Sequence, residues 1–192
     1  MKKVLLLLSE GFEFYEASVF IDVIGWNLVD GDGSTQLFTC GLTKEAKSTF
    51  GQKMLVDYTI DEINPDDFAA LAIPGGFEEY EFYKHAFTDP FLDIIKAFHQ
   101  KHKLIASICT GAIPIAKSGI LTGRKGTTYN KNPRRQQMLT DMGVDVVQEP
   151  VVIEGNIITS WNPSTAMDVA FLLLEHLTSP QQAKRIKELM GF

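Results

Sequence analysis

Cys109 lies where an apolar run, residues 104–108, gives way to a short predicted helix at residues 112–117. A reactive residue in a tight strand-to-helix turn needs small neighbours two positions away, and here these are Ser107 and Gly111. The N–H groups and the dipole at the start of a helix favour a thiolate. The pattern indicates a nucleophile elbow. A small buried structural cysteine is the alternative, and the segment alone does not decide between them.

A second strand end could supply groups beside the thiol. Pro74, Gly75 and Gly76 follow a buried strand predicted at residues 68–73. Two glycines let the backbone approach a ligand closely and direct N–H groups at it. The amides of Gly76 and Thr110 are therefore candidates for an oxyanion site beside the sulfur. A plain β-turn is the alternative interpretation of the glycines.

Three glutamates, Glu10, Glu13 and Glu16, lie between the first predicted strand and the first predicted helix. An acid in the first turn of a helix often does no more than complement the helix dipole. An acid that points into a cleft beside a thiol could instead share a proton with the thiol or orient a water molecule. The spacing leaves all three roles open.

The elements that must position these groups alternate between strands and helices. Continuous apolar runs, such as residues 4–8, predict strands buried on both faces, and the spacing of residues 91–98 predicts an amphipathic helix. This alternation predicts a doubly wound α/β fold with a mainly parallel sheet, in a single domain over residues 1–192. Ligands of such sheets bind at the carboxyl ends of the strands, where the groups named above fall.

Composition excludes several classes of protein. The chain has 45% hydrophobic and 22% charged residues and a net charge of −6, which predicts a globular protein that is not a general nucleic-acid binder. Residues 124–135 hold five basic side chains, which are expected on a solvated loop and helix face, with an anion site as the alternative. The sequence contains no zinc-type spacing and no long apolar stretch, so we expect no metal, no cofactor and no membrane span. With two cysteines and too short an apolar start for a signal peptide, we expect a cytoplasmic protein.

Four motifs in order resemble the ThiJ/PfpI superfamily, which has the class I glutamine amidotransferase-like fold. They are residues 11–16 (Gly-Phe-Glu-Phe-Tyr-Glu), 73–76 (Ile-Pro-Gly-Gly), 108–112 (Ile-Cys-Thr-Gly-Ala) and 119–128. The resemblance covers nearly the whole chain and implies a flavodoxin-like three-layer sandwich and a homodimer. It also implies that Cys109 is the reactive cysteine, that Glu16 is the acid that touches its sulfur, and that Gly76 and Thr110 are the backbone donors.

The chain departs from that family at the position of its usual histidine. Many members have histidine after the Thr-Thr pair, where this chain has Tyr129, and others have histidine directly after the cysteine, where it has Thr110. A tyrosine hydroxyl is a poor general base at neutral pH. We expect Tyr129, with Gly75 and Phe77, to line the pocket. Among the histidines, only His85 is a candidate for a place near the site.

Two functions from different classes follow. The first is an enzyme in which the Cys109 thiolate, paired with Glu16, acts on a small electrophile: an amide, an α-oxoaldehyde or an isocyanide. The second is a non-enzymatic, redox-responsive or ligand-binding protein that uses the same thiol, since oxidation to sulfenic acid needs no histidine. A scaffold with a vestigial site is a third alternative. In the first two cases the partner is a small molecule.

Overall fold

The computed structural model describes residues 1–192 and contains a central seven-stranded sheet flanked by helices. The strands are β1 (Lys2–Leu8), β2 (Thr35–Gly41), β3 (Glu45–Lys47), β4 (Lys53–Leu55), β5 (Tyr58–Thr59), β6 (Ala70–Ile73), β7 (Leu104–Ser107), β8 (Lys125–Gly126), β9 (Asp145–Val146), β10 (Val151–Glu154) and β11 (Ile157–Ser160). The helices are α1 (Phe14–Val29), α2 (Phe82–Ala86), α3 (Asp89–Gln100), α4 (Ala112–Lys117), α5 (Pro133–Asp141), α6 (Ala166–Leu177) and α7 (Pro180–Leu189).

The sheet is parallel except at one edge. Its strand order is β10-β11-β7-β6-β1-β2-β5, and only the β10–β11 pair is antiparallel. The prediction of a flavodoxin-like α/β sandwich with a mainly parallel sheet in one domain is therefore confirmed. Because β1, β6 and β7 are neighbours and point the same way, the loops that follow them meet at one edge of the sheet.

The core lies on both faces of this sheet, as the apolar runs require. Successive side chains of a strand point to opposite faces. In β1, Val4, Leu6 and Leu8 pack in a cluster with α1, α6 and α7, whereas Leu5 and Leu7 pack in a second cluster with α3, α4 and α5. All five side chains are at most 1% exposed, so both layers of helices are fixed against the strand that precedes the site. None of the helices is both long and apolar enough to span a membrane.

The structure differs from the sequence-based prediction around two short segments. Residues 50–51 and 54–58 suggest a small extension or hairpin from their sequence; in the structure β4 pairs with β3 in a separate hairpin while β5 extends the edge of the main sheet. Residues 78–86 form a 3₁₀ turn, Glu78–Tyr80, and helix α2, joined at Glu81 in the left-handed region with φ 65°. Elements of three to five residues are too short to show a hydrophobic period, so the sequence did not predict them.

Candidate active site

The thiol is held in a strained turn between β7 and α4. β7 ends at Ser107, and Cys109 begins a 3₁₀ turn, Cys109–Gly111, that leads directly into α4. Cys109 has φ 56°, a left-handed conformation that costs a non-glycine residue about 1–3 kcal/mol. A Cβ at Gly111 would lie 2.6 Å from the carbonyl oxygen of Ile73, so only glycine allows the turn to pack this closely against β6.

Glu16 is a fully buried carboxyl in the first turn of α1. Its Oε2 accepts a hydrogen bond of 2.7 Å from the backbone N–H of Gly75. The carboxyl also lies next to Cys109, whose thiol contributes to its pKa, and Oε1 is buried without a hydrogen-bond partner. Burial raises the pKa of Glu16 from 4.5 to about 8, and the Gly75 N–H opposes this rise only in part. Near neutral pH the carboxyl therefore carries a proton next to the sulfur.

The sulfur and the carboxyl form one coupled pair. Burial is the main cause that raises the pKa of the Cys109 thiol, and the charge of ionised Glu16 raises it further. The backbone N–H of Thr110, which hydrogen-bonds the sulfur, lowers this pKa. Two groups that interact this strongly lose their protons in two steps that belong to the pair. The arrangement can therefore pass a proton between sulfur and carboxyl without solvent.

The two expected backbone donors, Gly76 and Thr110, both line the pocket that contains the thiol. The Gly76 N–H donates to Thr110 Oγ1 at 2.8 Å, and the same hydroxyl donates back to the Gly76 carbonyl, also at 2.8 Å. In this structure the side chain of Thr110 therefore occupies the Gly76 amide, which becomes available to a ligand oxygen only when this hydrogen bond exchanges. That the two amides form an oxyanion site stays a prediction.

A pocket of about 230 Å³ opens beside the thiol. Its lining residues come from the three strand ends, from the segment after β8 and from the start of α5: Glu13, Glu16, Gly76, Phe77, Glu79, Cys109, Thr110, Tyr129, Asn132, Arg135 and Pro163. Phe77 and Tyr129 both line it, whereas Gly75 does not and lies behind Glu16 as the donor to its carboxylate. The neighbouring Thr128 fixes this segment, since its hydroxyl donates to the Cys109 carbonyl at 2.8 Å.

The remaining candidates from the sequence lie elsewhere. His85 Nε2 is 3.8 Å from Glu81 in a different cleft, so no histidine lines the pocket, and the surface position that was the favoured interpretation of His85 stands against a place in the site. Glu10 accepts hydrogen bonds from the Lys47 N–H of the β3–β4 hairpin. Glu13 does reach the pocket, where burial raises its pKa.

Sequence reasoning missed the contribution of α5. The basic cluster at residues 124–135 was expected on a solvated face, but Arg135 is only 8% exposed and lines the pocket. Asn132 caps the helix by accepting the Arg134 N–H at 3.0 Å, and Pro133 follows at the first helical position. Leu139, four residues after Arg135, is fully buried, and this i, i+4 spacing was the available signal that Arg135 faces inward.

Metal-ligand clusters and the second cysteine do not provide a further reactive site. No group of three or more His, Cys, Asp or Glu side chains is placed to hold a metal ion. The second cysteine, Cys40, is free and fully buried in β2. Burial raises the pKa of its thiol to about 12.

The fold and this elbow define an α/β protein with a cysteine at the carboxyl edge of its sheet. The sequence model of the DJ-1/PfpI family matches residues 2–176. The chain belongs to this family.

Proteins from several organisms are similar to this chain in sequence. The chain is 34% identical over 113 residues to Deglycase PfpI of Pyrococcus furiosus, covering 59% of this chain and 64% of that protein. It is 28% identical over 192 residues to Protein DJ-1alpha of Drosophila melanogaster, covering 98% of this chain and 83% of that one. A Methanocaldococcus jannaschii protein matches at 33% over 122 residues, and there the alignment spans 58% of the relative's length. The alignments with the Pyrococcus furiosus and Methanocaldococcus jannaschii proteins thus cover less than two thirds of those two proteins.

Solved structures share the fold. The structure of Drosophila melanogaster DJ-1beta superposes with a TM-score of 0.86, covering 98% of this chain and 97% of that one, at 24% identity. Schizosaccharomyces pombe DJ-1 gives a TM-score of 0.83, also at 24% identity, with 99% of each chain covered.

Proposed function

We propose that this protein acts on a small electrophile through the thiol of Cys109, with Glu16 as the proton-sharing partner. The observation that carries the proposal is the buried carboxyl of Glu16 beside the thiol of Cys109, both of which line the pocket. The substrate classes are an amide, an α-oxoaldehyde or an isocyanide. The deglycases among the relatives favour a carbonyl compound, so we take the α-oxoaldehyde first.

The first step is addition of the thiol to the aldehyde. A bond forms between sulfur and the aldehyde carbon while the π bond of the carbonyl breaks. The proton that Glu16 holds near neutral pH passes to the new alkoxide oxygen, and the Glu16 carboxylate takes up the proton that the thiol loses. Glu16 ends the step protonated, and the product is a hemithioacetal, so the step needs no further reactant.

The backbone amides of Gly76 and Thr110 are proposed to stabilise charge on that oxygen once the Thr110 hydroxyl turns away from Gly76. Tyr129 is proposed to shape the pocket with its ring and to take no proton, because a phenol is a poor base near pH 7. An aromatic wall with one polar tip suits a small, partly apolar ligand.

The alternative is a redox-responsive or ligand-binding protein that uses the same thiol. Two observations favour it: no histidine lines the pocket, and the buried carboxyl can donate a hydrogen bond to an oxidised sulfur. Turnover separates the two proposals, since an enzyme consumes many equivalents of substrate whereas a sensor reacts once.

The test is a steady-state screen of α-oxoaldehydes, amides and isocyanides with wild type, Cys109→Ser and Cys40→Ala. Cys40→Ala is the matched control because Cys40 is buried in β2 away from the pocket. The proposal expects multiple turnovers that Cys109→Ser abolishes and Cys40→Ala retains. Absence of turnover on all three classes, with peroxide still oxidising Cys109, would favour the alternative.

We also propose, from the family resemblance, that the protein is a cytoplasmic homodimer. The β3–β4 hairpin and the loop after it carry apolar side chains that are exposed in the monomer, Phe50 at 66% and Leu55 at 79%. Sedimentation equilibrium of wild type and Leu55→Asp measures the oligomeric state. A wild type that sediments as a monomer at micromolar concentration would contradict the dimer.

A further inference from the structure

A buried arginine shares the pocket with the thiol. Arg135 lies in the first turn of α5, is 8% exposed and lines the same cavity as Cys109. Charged side chains are almost never buried to this extent unless an anion pairs with them. An arginine guanidinium stays charged throughout the pH range in which proteins fold. The acceptors around the guanidinium therefore decide whether a further anion can bind to it.

The protein satisfies only one end of this guanidinium. Nη1 forms an ion pair of 2.9 Å with Glu78 Oε2, and the Glu78 side chain is 48% exposed. The same Nη1 makes a long contact of 3.5 Å with Met138 Sδ. The ring of Tyr83 lies under the guanidinium, 5.2 Å from Cζ, and fixes its plane. Nε and Nη2 donate to no protein acceptor, although arginine presents five N–H donors suited to a carboxylate.

The other acids that face the pocket do not supply the missing partner. Glu16 and Glu13 are held towards their neutral forms by burial, and neither forms an ion pair with Arg135. Glu79 lies exposed at the rim and is not paired with Arg135 either. Arg135 is therefore the one basic side chain that lines the pocket, and its ion-pair partner, Glu78, lies at the solvent edge.

We infer that Arg135 binds a carboxylate on the substrate, so that the substrate class is a small α-oxo carboxylate whose aldehyde carbon is attacked by Cys109. This inference rests on the proposed function and narrows its substrate. Thiol and guanidinium line one cavity of about 230 Å³, which has room for a small organic acid. The carbonyl and the carboxylate of such a molecule are adjacent. The covalent step is the balanced thiol addition described above, and the carboxylate takes no part in it.

The experiment measures protection of Cys109 from iodoacetamide by two aldehydes that differ in charge. Glyoxylate carries a carboxylate next to its aldehyde, and methylglyoxal carries a neutral acetyl group in its place. The readout is the concentration that halves the rate of Cys109 alkylation, from peptide mass spectrometry, relative to the rate without aldehyde. Arg135→Gln is expected to raise this concentration for glyoxylate about tenfold or more and to change it less than twofold for methylglyoxal.

A second variant keeps the test decisive if Arg135→Gln folds poorly. Glu78→Gln removes the competing exposed carboxylate and leaves the guanidinium in place. It is expected to lower the half-protecting concentration of glyoxylate severalfold and to leave that of methylglyoxal unchanged. If Arg135→Gln does not fold, a Glu78→Gln variant in which glyoxylate protects Cys109 no better than in wild type would overturn the inference.

The outcomes separate this inference from the proposal beneath it. If neither aldehyde protects Cys109 of the wild type, the proposed carbonyl chemistry fails and the inference fails with it. If both protect, but Arg135→Gln changes both equally or neither, only the role of Arg135 is refuted. A selective loss of glyoxylate protection supports both.

Discussion

Replacing the buried acid Glu16 with glutamine tests whether that carboxyl is protonated in the folded protein. The folded state raises the pKa of Glu16 from 4.5 to about 8, so between these values the native protein holds a proton that the unfolded chain has released. Stability falls with pH wherever the native state binds more protons. The contribution of this group is therefore fully present below pH 4.5 and is lost as the pH rises to about 8.

The size of the effect follows from the same two values. At about 1.4 kcal/mol per pKa unit, the whole difference corresponds to at most about 5 kcal/mol. Most of this loss of stability occurs between pH 5 and pH 8. Glutamine has nearly the same shape and can accept the Gly75 N–H, but it does not titrate. The advantage of Glu16→Gln over wild type should thus grow by about 3 kcal/mol from pH 5 to pH 8.

Urea unfolding followed by circular dichroism at pH 5, 6, 7 and 8, at one fixed protein concentration, measures this difference. Any constant gain or loss from the amide cancels because only the growth with pH is compared. Glu149→Gln is the matched control, since Glu149 is exposed and forms no hydrogen bond or ion pair. Its stability should run parallel to that of wild type. If the Glu16→Gln curve also ran parallel, the carboxyl would not be held protonated and the shared-proton mechanism would fail.

Three further predictions concern the thiols, Tyr129 and two glycines. Limiting iodoacetamide should label Cys109, which lines the pocket, at least about tenfold faster than Cys40, which is fully buried; equal labelling by peptide mapping would contradict this. On the substrate found by the screen, Tyr129→Phe should lower kcat/KM less than about tenfold, and Tyr129→His should raise it by supplying a group that titrates near neutrality. A loss of about a thousandfold in Tyr129→Phe, some 4 kcal/mol, would instead show that the hydroxyl takes part in the chemistry. Gly76→Ala should lower the free energy of unfolding by about 1–3 kcal/mol because its Cβ would lie 2.2 Å from an aromatic ring carbon and 2.4 Å from a backbone oxygen. Gly25→Ala, in open space within α1, should raise it by up to about 1 kcal/mol; the same loss in both variants would contradict the steric argument.

The sequence predicted what depends on long periodic segments and on strand ends. The continuous apolar run of β1 is visible in the sequence because both faces of that strand are buried. The apolar period of α3 is visible because every third to fourth residue of the helix faces the core. The meeting of Glu16, Gly76 and Cys109 followed from the rule that parallel strands deliver their loops to one edge. Their chemical roles remain proposals, because proximity does not prove reaction.

What could not be predicted depends on side-chain conformations and on short elements. The bond between the Thr110 hydroxyl and Gly76 joins residues 34 positions apart, and no sequence pattern marks it. The inward position of Arg135 was not predicted because most of the basic cluster lies on the solvated face that its charge indicates; Lys125, Lys131 and Arg134 are exposed. Helix α2 places Tyr83 beneath that arginine, yet at five residues it is too short to show a period.

The hydrogen bonds between the Thr110 hydroxyl and Gly76 determine which oxygen atoms can bind at the Gly76 amide. The hydroxyl provides the Gly76 amide with an acceptor and the Gly76 carbonyl with a donor, so neither group is left unsatisfied without a ligand. An arriving oxygen must exchange one hydrogen bond for another, and it gains only the difference in acceptor strength. A neutral carbonyl oxygen gains little over a hydroxyl, whereas an oxygen that becomes negative as sulfur adds gains much more. In the proposed addition step, the side chain of Thr110 would thus reserve the Gly76 amide for the transition state and withhold it from ground-state ligands.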